Sequence, residues 1–154
     1  MNKYFIYYSA SGNGDFLASL LESKGYKPIK IEMVKPIKRI NFFSIMRYGG
    51  EAMMKKKAKI VEPNLVIEEE DVVIIGSPIW NGRISSPVNM ALSMLKQNGL
   101  SSKKVSFIFY AGSGEGKKAL KRVNKEFPEA EVFFLKEPKK YPEELEKLGK
   151  RLSE

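Results

Sequence analysis

Residues 4–8, 72–75, 105–110 and 132–135 form four short, nearly unbroken apolar runs built largely from Val, Ile, Phe and Tyr. A strand of this kind has no polar face to turn to water. It must be covered on both sides, as strands inside a parallel sheet are. Residues 28–33 make a fifth, weaker run. Between the runs, apolar residues recur at helical spacing: Phe16, Leu17, Leu20 and Leu21; Val88, Ala91, Leu92 and Leu95; Ala119, Leu120, Val123 and Phe127; Leu145, Leu148 and Leu152. Ser86 before Pro87 and Tyr141 before Pro142 mark helix starts, and Gly25 and Gly99 stand where helices should stop. Strands alternating with helices across short loops call for right-handed crossovers. The expected fold is therefore α/β, a doubly wound five-stranded parallel sheet with helices on both faces, and 154 residues fit a single domain, 1–154.

Composition removes whole classes of chemistry. With no Cys and no His, the chain has no disulfide, no thiolate nucleophile, no histidine base and none of the usual zinc or iron–sulfur ligands. Any redox chemistry has to come from a bound group. Four acids stand together at Glu68, Glu69, Glu70 and Asp71, but adjacent residues cannot all face one ion, so they read as a solvated loop and no metal site is expected. No apolar run approaches the roughly 20 residues needed to span a bilayer, and the expected location is cytoplasmic.

In a doubly wound sheet, ligands sit beyond the carboxyl ends of the strands, where the strand order reverses. Three loops matter there. The first reads Ser9-Ala10-Ser11-Gly12-Asn13-Gly14 and runs straight into a helix. Its small residues let the backbone wrap a ligand, its side chains add donors, and the helix start favours an anion. It is a phosphate cradle without a lysine, matching neither the G-x-G-x-x-G nor the Walker pattern. Read alone, the same residues also make an ordinary Ser/Gly-rich turn.

The second loop, Gly76-Ser77-Pro78-Ile79-Trp80-Asn81-Gly82-Arg83, holds the only Trp. An indole there either lies flat against a planar ring or plugs the end of the core. Asn81-Gly82 can reach positive φ. The third loop, Ala111-Gly112-Ser113-Gly114-Glu115-Gly116-Lys117-Lys118, imitates a P-loop and departs from it at Ala111 and Lys118, which argues against a nucleoside triphosphate.

The first two loops, in this order and context, resemble the flavodoxin family, through Tyr7-Tyr8-Ser9-Ala10-Ser11-Gly12-Asn13-Gly14 and Gly76-Ser77-Pro78-Ile79-Trp80. The resemblance spans nearly the whole chain and implies the strand order 2-1-3-4-5 with flavin mononucleotide (FMN) as cofactor. It implies that Ser9, Ala10, Ser11, Gly12, Asn13 and Gly14 hold the phosphate. Trp80 would stack on the isoalloxazine beside Pro78 and Ile79, and the peptide at Asn81-Gly82 would pair with the central ring nitrogen. Ala111, Gly112, Ser113, Gly114 and Gly116 would line the pyrimidine edge. Two departures stand out: Gly14 replaces a common Thr, and the third loop lacks an aromatic to close the outer face, for which Tyr48, Tyr110 and Tyr141 are candidates. Without such a cover, FMN should bind more weakly and react more freely with a second substrate.

The chain carries a formal charge of +9, and residues 35–59 hold eight basic residues against one acid. The bland reading is an amphipathic helix with a solvated basic face. The sharper reading is a docking surface near Arg47, Lys55, Lys56 and Lys57 for an acidic redox partner, or one that steers NAD(P)H phosphates. A basic chain invites thought of nucleic acid, but no recognition helix, paired-aromatic strand motif or zinc module is present. The expected function is an FMN electron carrier. The alternatives are an FMN-dependent NAD(P)H oxidoreductase acting on a quinone or similar acceptor, and a binding or scaffold module without flavin. No residue is singled out as catalytic.

Overall fold

The computed structural model describes residues 1–34, 59–101 and 104–152. In chain order its elements are β1 Lys3–Tyr7, α1 Asn13–Glu22, β2 Lys27–Lys30, β3 Val72–Trp80, β4 Arg83–Ile84, α2 Ser86–Gln97, β5 Val105–Ala111, α3 Lys117–Glu126, β6 Glu131–Lys136 and a C-terminal 3-10 segment, Pro142–Leu152. Five strands run parallel in the order β2-β1-β3-β5-β6, the expected order once the two-residue β4 is set aside. β4 folds back antiparallel on the end of β3, a sixth strand that the apolar pattern does not announce.

Alternation along the parallel strands supplies two cores. Phe5, Tyr7, Ile74, Ile108, Tyr110 and Leu135 cluster with Leu17, Ala18 and Leu21 of α1 and with Leu148. Tyr4, Ile6, Val73, Ile75, Phe107 and Phe109 cluster with Val88, Ala91, Leu92 and Leu95 of α2 and with Ala119, Val123 and Phe127 at α3. Each large side chain so enclosed contributes about 1.5–3 kcal/mol from burial. The helical stripes read from the sequence thus supply the faces that cover the sheet, except that Leu120 is exposed.

Element ends differ from expectation in two places. The cap of α2 is Ser85, in an extended conformation, so Ser86 and Pro87 both lie inside the first turn. The C-terminal stripe forms 3-10 turns interrupted at Gly149 instead of an α-helix. Gly25 and Gly99 do stand just past α1 and α2, at φ +86° and +103°.

The basic segment leaves and rejoins the described chain through a narrow neck. Met33 pairs antiparallel with Ile60, the Val34 N–H donates to the Lys59 carbonyl at 2.9 Å, and the Val61 N–H donates to that of Glu32 at 2.8 Å. The expected helix and docking surface with Arg47, Lys55, Lys56 and Lys57, together with Tyr48, lie outside the described residues. Of the acidic run, Glu68, Glu69 and Glu70 are exposed as expected, but Asp71 is only 2% exposed. It accepts the Asn2 N–H at 2.7 Å, Asn2 Nδ2 at 3.2 Å and the Glu68 N–H at 3.0 Å, fastening the first residues to the start of β3. The Glu68 and Asn2 amides stabilise its anion and hold its carboxyl below the usual range. Among the described residues, no helix is long and apolar enough to cross a membrane.

Candidate functional site

The loops after β1, β3 and β5 share the carboxyl edge of the sheet, and the first two flank the position where the strand order reverses. The first loop turns into α1 at Gly12, whose φ of +92° is readily available only to glycine. The Asp15 N–H is taken by Ser9 Oγ at 3.2 Å and the Phe16 N–H by the Gly12 carbonyl at 3.0 Å. The amides of Asn13 and Gly14, among the donors a helix start leaves over, make no hydrogen bond within the described residues. Ser11 Oγ accepts from Asn13 Nδ2 at 3.2 Å. The hydroxyls of Ser9 and Ser11 therefore serve as acceptors inside the loop and keep their own protons to donate outward.

Gly14 is a packing requirement. A Cβ there would fall 2.7 Å from the Tyr110 hydroxyl oxygen and 2.8 Å from both Ser9 Cβ and the Tyr7 ring. The Thr common at this position in flavodoxins has no room here, because Tyr7 and Tyr110 fill the space beneath the loop. Tyr7 donates to Asp15 Oδ1 at 3.0 Å, and Lys30 bridges the same carboxylate at 2.9 Å. Burial and then the Asp15 hydrogen bond push the Tyr7 hydroxyl up. For Asp15, desolvation acts upward but is outweighed by the hydrogen bonds from Lys30 and Tyr7, so its carboxyl lies below the ordinary range. Asp15 is thus in the first turn of α1, where a dipole partner is expected, and already has its own cation.

In the second loop, Asn81 and Gly82 have φ of +52° and +74°, the two positive values that a type I′ hairpin turn requires. Ser77 and Ser85 lock the base of the hairpin: their hydroxyls lie 2.9 Å apart, and the Ser85 N–H donates to Ser77 Oγ at 3.1 Å. This closure encloses Trp80. The residue pairs with Arg83 inside the sheet, is 1% exposed, and meets the Tyr8 ring edge-on at 5.9 Å and 88°. Its indole is enclosed by protein, so in this structure it takes the second of the two places the sequence allows, the end of the core.

A cleft of about 520 Å³ opens between the second and third loops. Ile79, Asn81, Gly82, Ala111, Gly112, Ser113 and Gly116, all named above as flavin contacts, line it together with Glu115, Lys117 and Lys118, which were not. Pro78 is buried within β3, and Gly114 lies against Lys136. The Ala119 N–H at the start of α3 donates to the Gly82 carbonyl at 2.9 Å and ties the two walls together. Ser9 to Gly14 are not among the residues that line this cleft.

No aromatic side chain lines the cleft among the described residues. Tyr110 is 3% exposed and donates its hydroxyl proton to the Tyr8 carbonyl, so it cannot cover a ring. Tyr141 is half-buried, with Lys136 and Lys140 Nζ at 5.2 and 5.3 Å from its ring centre. The remaining candidate, Tyr48, is outside the described residues.

One contributor comes from far along the chain. The turn after β6 starts at Glu137 (φ +37°), whose N–H donates to the Ala111 carbonyl at 3.2 Å. Two residues on, the Lys139 N–H donates to Asn13 Oδ1 at 3.1 Å. This turn therefore touches both the third loop and the first.

Comparison with known proteins agrees with this geometry. The family described as NADPH-dependent FMN reductase matches residues 8–143, most of the chain. No curated protein was found to match in sequence. Among solved structures, a Lactobacillus acidophilus NCFM flavoprotein in complex with FMN is 17% identical, with TM-score 0.64 over 92% of this chain and 97% of that one. A putative flavoprotein from Bacteroides uniformis ATCC 8492 is 19% identical, with TM-score 0.69 over 88% and 90%. One from Bacteroides eggerthii DSM 20697 is also 19% identical, with TM-score 0.61 over 94% and 96%. At such identities the structures speak for the fold alone. The family match carries the rest: the chain has the flavodoxin-like fold and belongs to the NADPH-dependent FMN reductase family, with FMN as its flavin.

Proposed function

We propose that the chain is an FMN-dependent oxidoreductase that draws reducing equivalents from NADPH and delivers them to a quinone or similar small acceptor. The carrying observation is the cleft between residues 79–82 and 111–118, which is open and has no aromatic wall among the described residues. A carrier that exchanges single electrons gains from a covered flavin. An enzyme that meets two small substrates in turn needs an accessible one. The family match supports the same choice over the electron-carrier expectation.

The residues present fit FMN at both ends. In this reading the amides of Asn13 and Gly14, which make no hydrogen bond among the described residues, and the hydroxyls of Ser9 and Ser11 seat the phosphate. Ile79 offers an apolar surface to the ring, and the Asn81-Gly82 turn and the backbone of residues 111–113 offer polar groups along its edge. The chemistry that FMN supplies when bound is acceptance of a hydride from the nicotinamide. The chain supplies position and charge: Lys117 and Lys118 give the cleft a positive rim that attracts a dinucleotide's phosphates.

Steady-state oxidation of NADPH by the FMN-loaded protein, followed through nicotinamide absorbance with a soluble quinone as acceptor, tests this reading. Sustained turnover that saturates in both substrates is expected. A protein that binds FMN tightly yet gives no turnover with NADPH or NADH would return the assignment to an electron carrier.

A further inference from the structure

The phosphate loop looks lysine-free in sequence, but the fold brings a lysine to it. The Lys139 side chain lies along Gly12: a Cβ built on Gly12 would stand 3.0 Å from Lys139 Nζ and 3.4 Å from its Cδ. Its main chain is anchored at the same place, because the Lys139 N–H donates to Asn13 Oδ1 at 3.1 Å and Asn13 is only 9% exposed. An ammonium at this position is electrostatically misplaced unless an anion joins it. It lies at the amino end of α1, where the helix dipole repels cations. The one acid of the first turn, Asp15, is already matched by Lys30. No carboxylate among the described residues pairs with Lys139.

We propose that Lys139 is the cationic partner of the FMN phosphate, reaching over Gly12 from the turn after β6 to close the seat formed by residues 9–14. The inference rests on that seat as proposed above. Lys139 is a specificity residue: it favours FMN over riboflavin, which has the same ring without the phosphate. It also makes cofactor binding depend on the docking of residues 137–141, since Asn13 holds the turn in place.

Titration of the apo protein with FMN and with riboflavin, each followed by quenching of flavin fluorescence at two ionic strengths, tests it. Lys139→Met keeps most of the stem that packs on Gly12 and removes the charge, and exposure of the side chain spares the fold. The variant should bind FMN about ten-fold more weakly, equivalent to about 1.4 kcal/mol. Its riboflavin affinity should be unchanged, and its FMN affinity should depend less on salt. Lys139→Arg should restore most of the loss. Equal FMN affinity in wild type and Lys139→Met, or equal losses for FMN and riboflavin, would overturn the role of Lys139. Wild type binding riboflavin as tightly as FMN would instead overturn the phosphate seat itself, and the Lys139 proposal with it.

Discussion

Replacing Trp80 with alanine separates a core role from a stacking role. The indole is 1% exposed and meets Tyr8 edge-on. Truncating a buried aromatic of this size costs about 3–5 kcal/mol, and the lost Tyr8 contact lies within that range or adds up to about 1 kcal/mol. For a chain of about 150 residues each kcal/mol moves the melting temperature by roughly 2–4 °C, so Trp80→Ala should lower it by roughly 6–20 °C. Trp80→Phe, which keeps a ring in the same space, should cost about 2 kcal/mol. The assay is scanning calorimetry of the apo protein, because bound FMN would itself raise the transition. FMN affinity is then measured well below the transition and should change by less than about three-fold in Trp80→Phe. A stacking Trp80 would give the opposite pattern: a melting temperature within about 3 °C of wild type and an FMN affinity reduced ten-fold or more, about 1.4 kcal/mol. That result would refute the placement of the indole in the core.

Three further outcomes follow from named contacts. Gly14→Thr should destabilise the protein by about 1–3 kcal/mol by overpacking against Tyr110, Tyr7 and Ser9, seen as a lower urea midpoint, and should not strengthen FMN binding. Tyr110→Phe should cost about 1–3 kcal/mol in the same assay, because the Tyr8 carbonyl loses its buried donor. Asp15 and Asp71 both have carboxyls held below their ordinary range in the folded state. Groups shifted this way contribute stability that is complete above their unfolded pKa, about 3.9, and is lost as the pH falls through the folded value. Urea midpoints should therefore be flat from pH 7 to about 5 and fall below about 4, with a shallower fall in Asp71→Asn.

The strands of this fold are legible because a strand buried on both faces leaves a continuous apolar signature, and the helices because one stripe of each must cover the sheet. β4 is invisible at that level: two residues carry no period, and its pairing depends on the Asn81-Gly82 turn and the Ser77–Ser85 hydrogen bonds. Trp80 shows a different limit. A large aromatic at the end of the third apolar run suits a ring platform and a core plug equally well. The hairpin, which keeps β3 extended through residue 80, puts the indole in the core of this structure. The small residues of the first loop suggest an anion seat in the sequence, but the tight space around Gly14 depends on Tyr7 of β1 and on Tyr110 from the distant β5. Lys139 is 126 positions from Asn13, and its basic turn after the last strand has no local feature that points to the first loop.

The most direct test of the site is a crystal structure of the protein with FMN. The phosphate should lie against the Asn13 and Gly14 amides with Lys139 beside it, and the ring should enter the cleft between Ile79 and residues 111–116 while Trp80 stays enclosed. A flavin lying flat on an indole swung out of the core, or a phosphate held away from residues 9–14, would contradict the account.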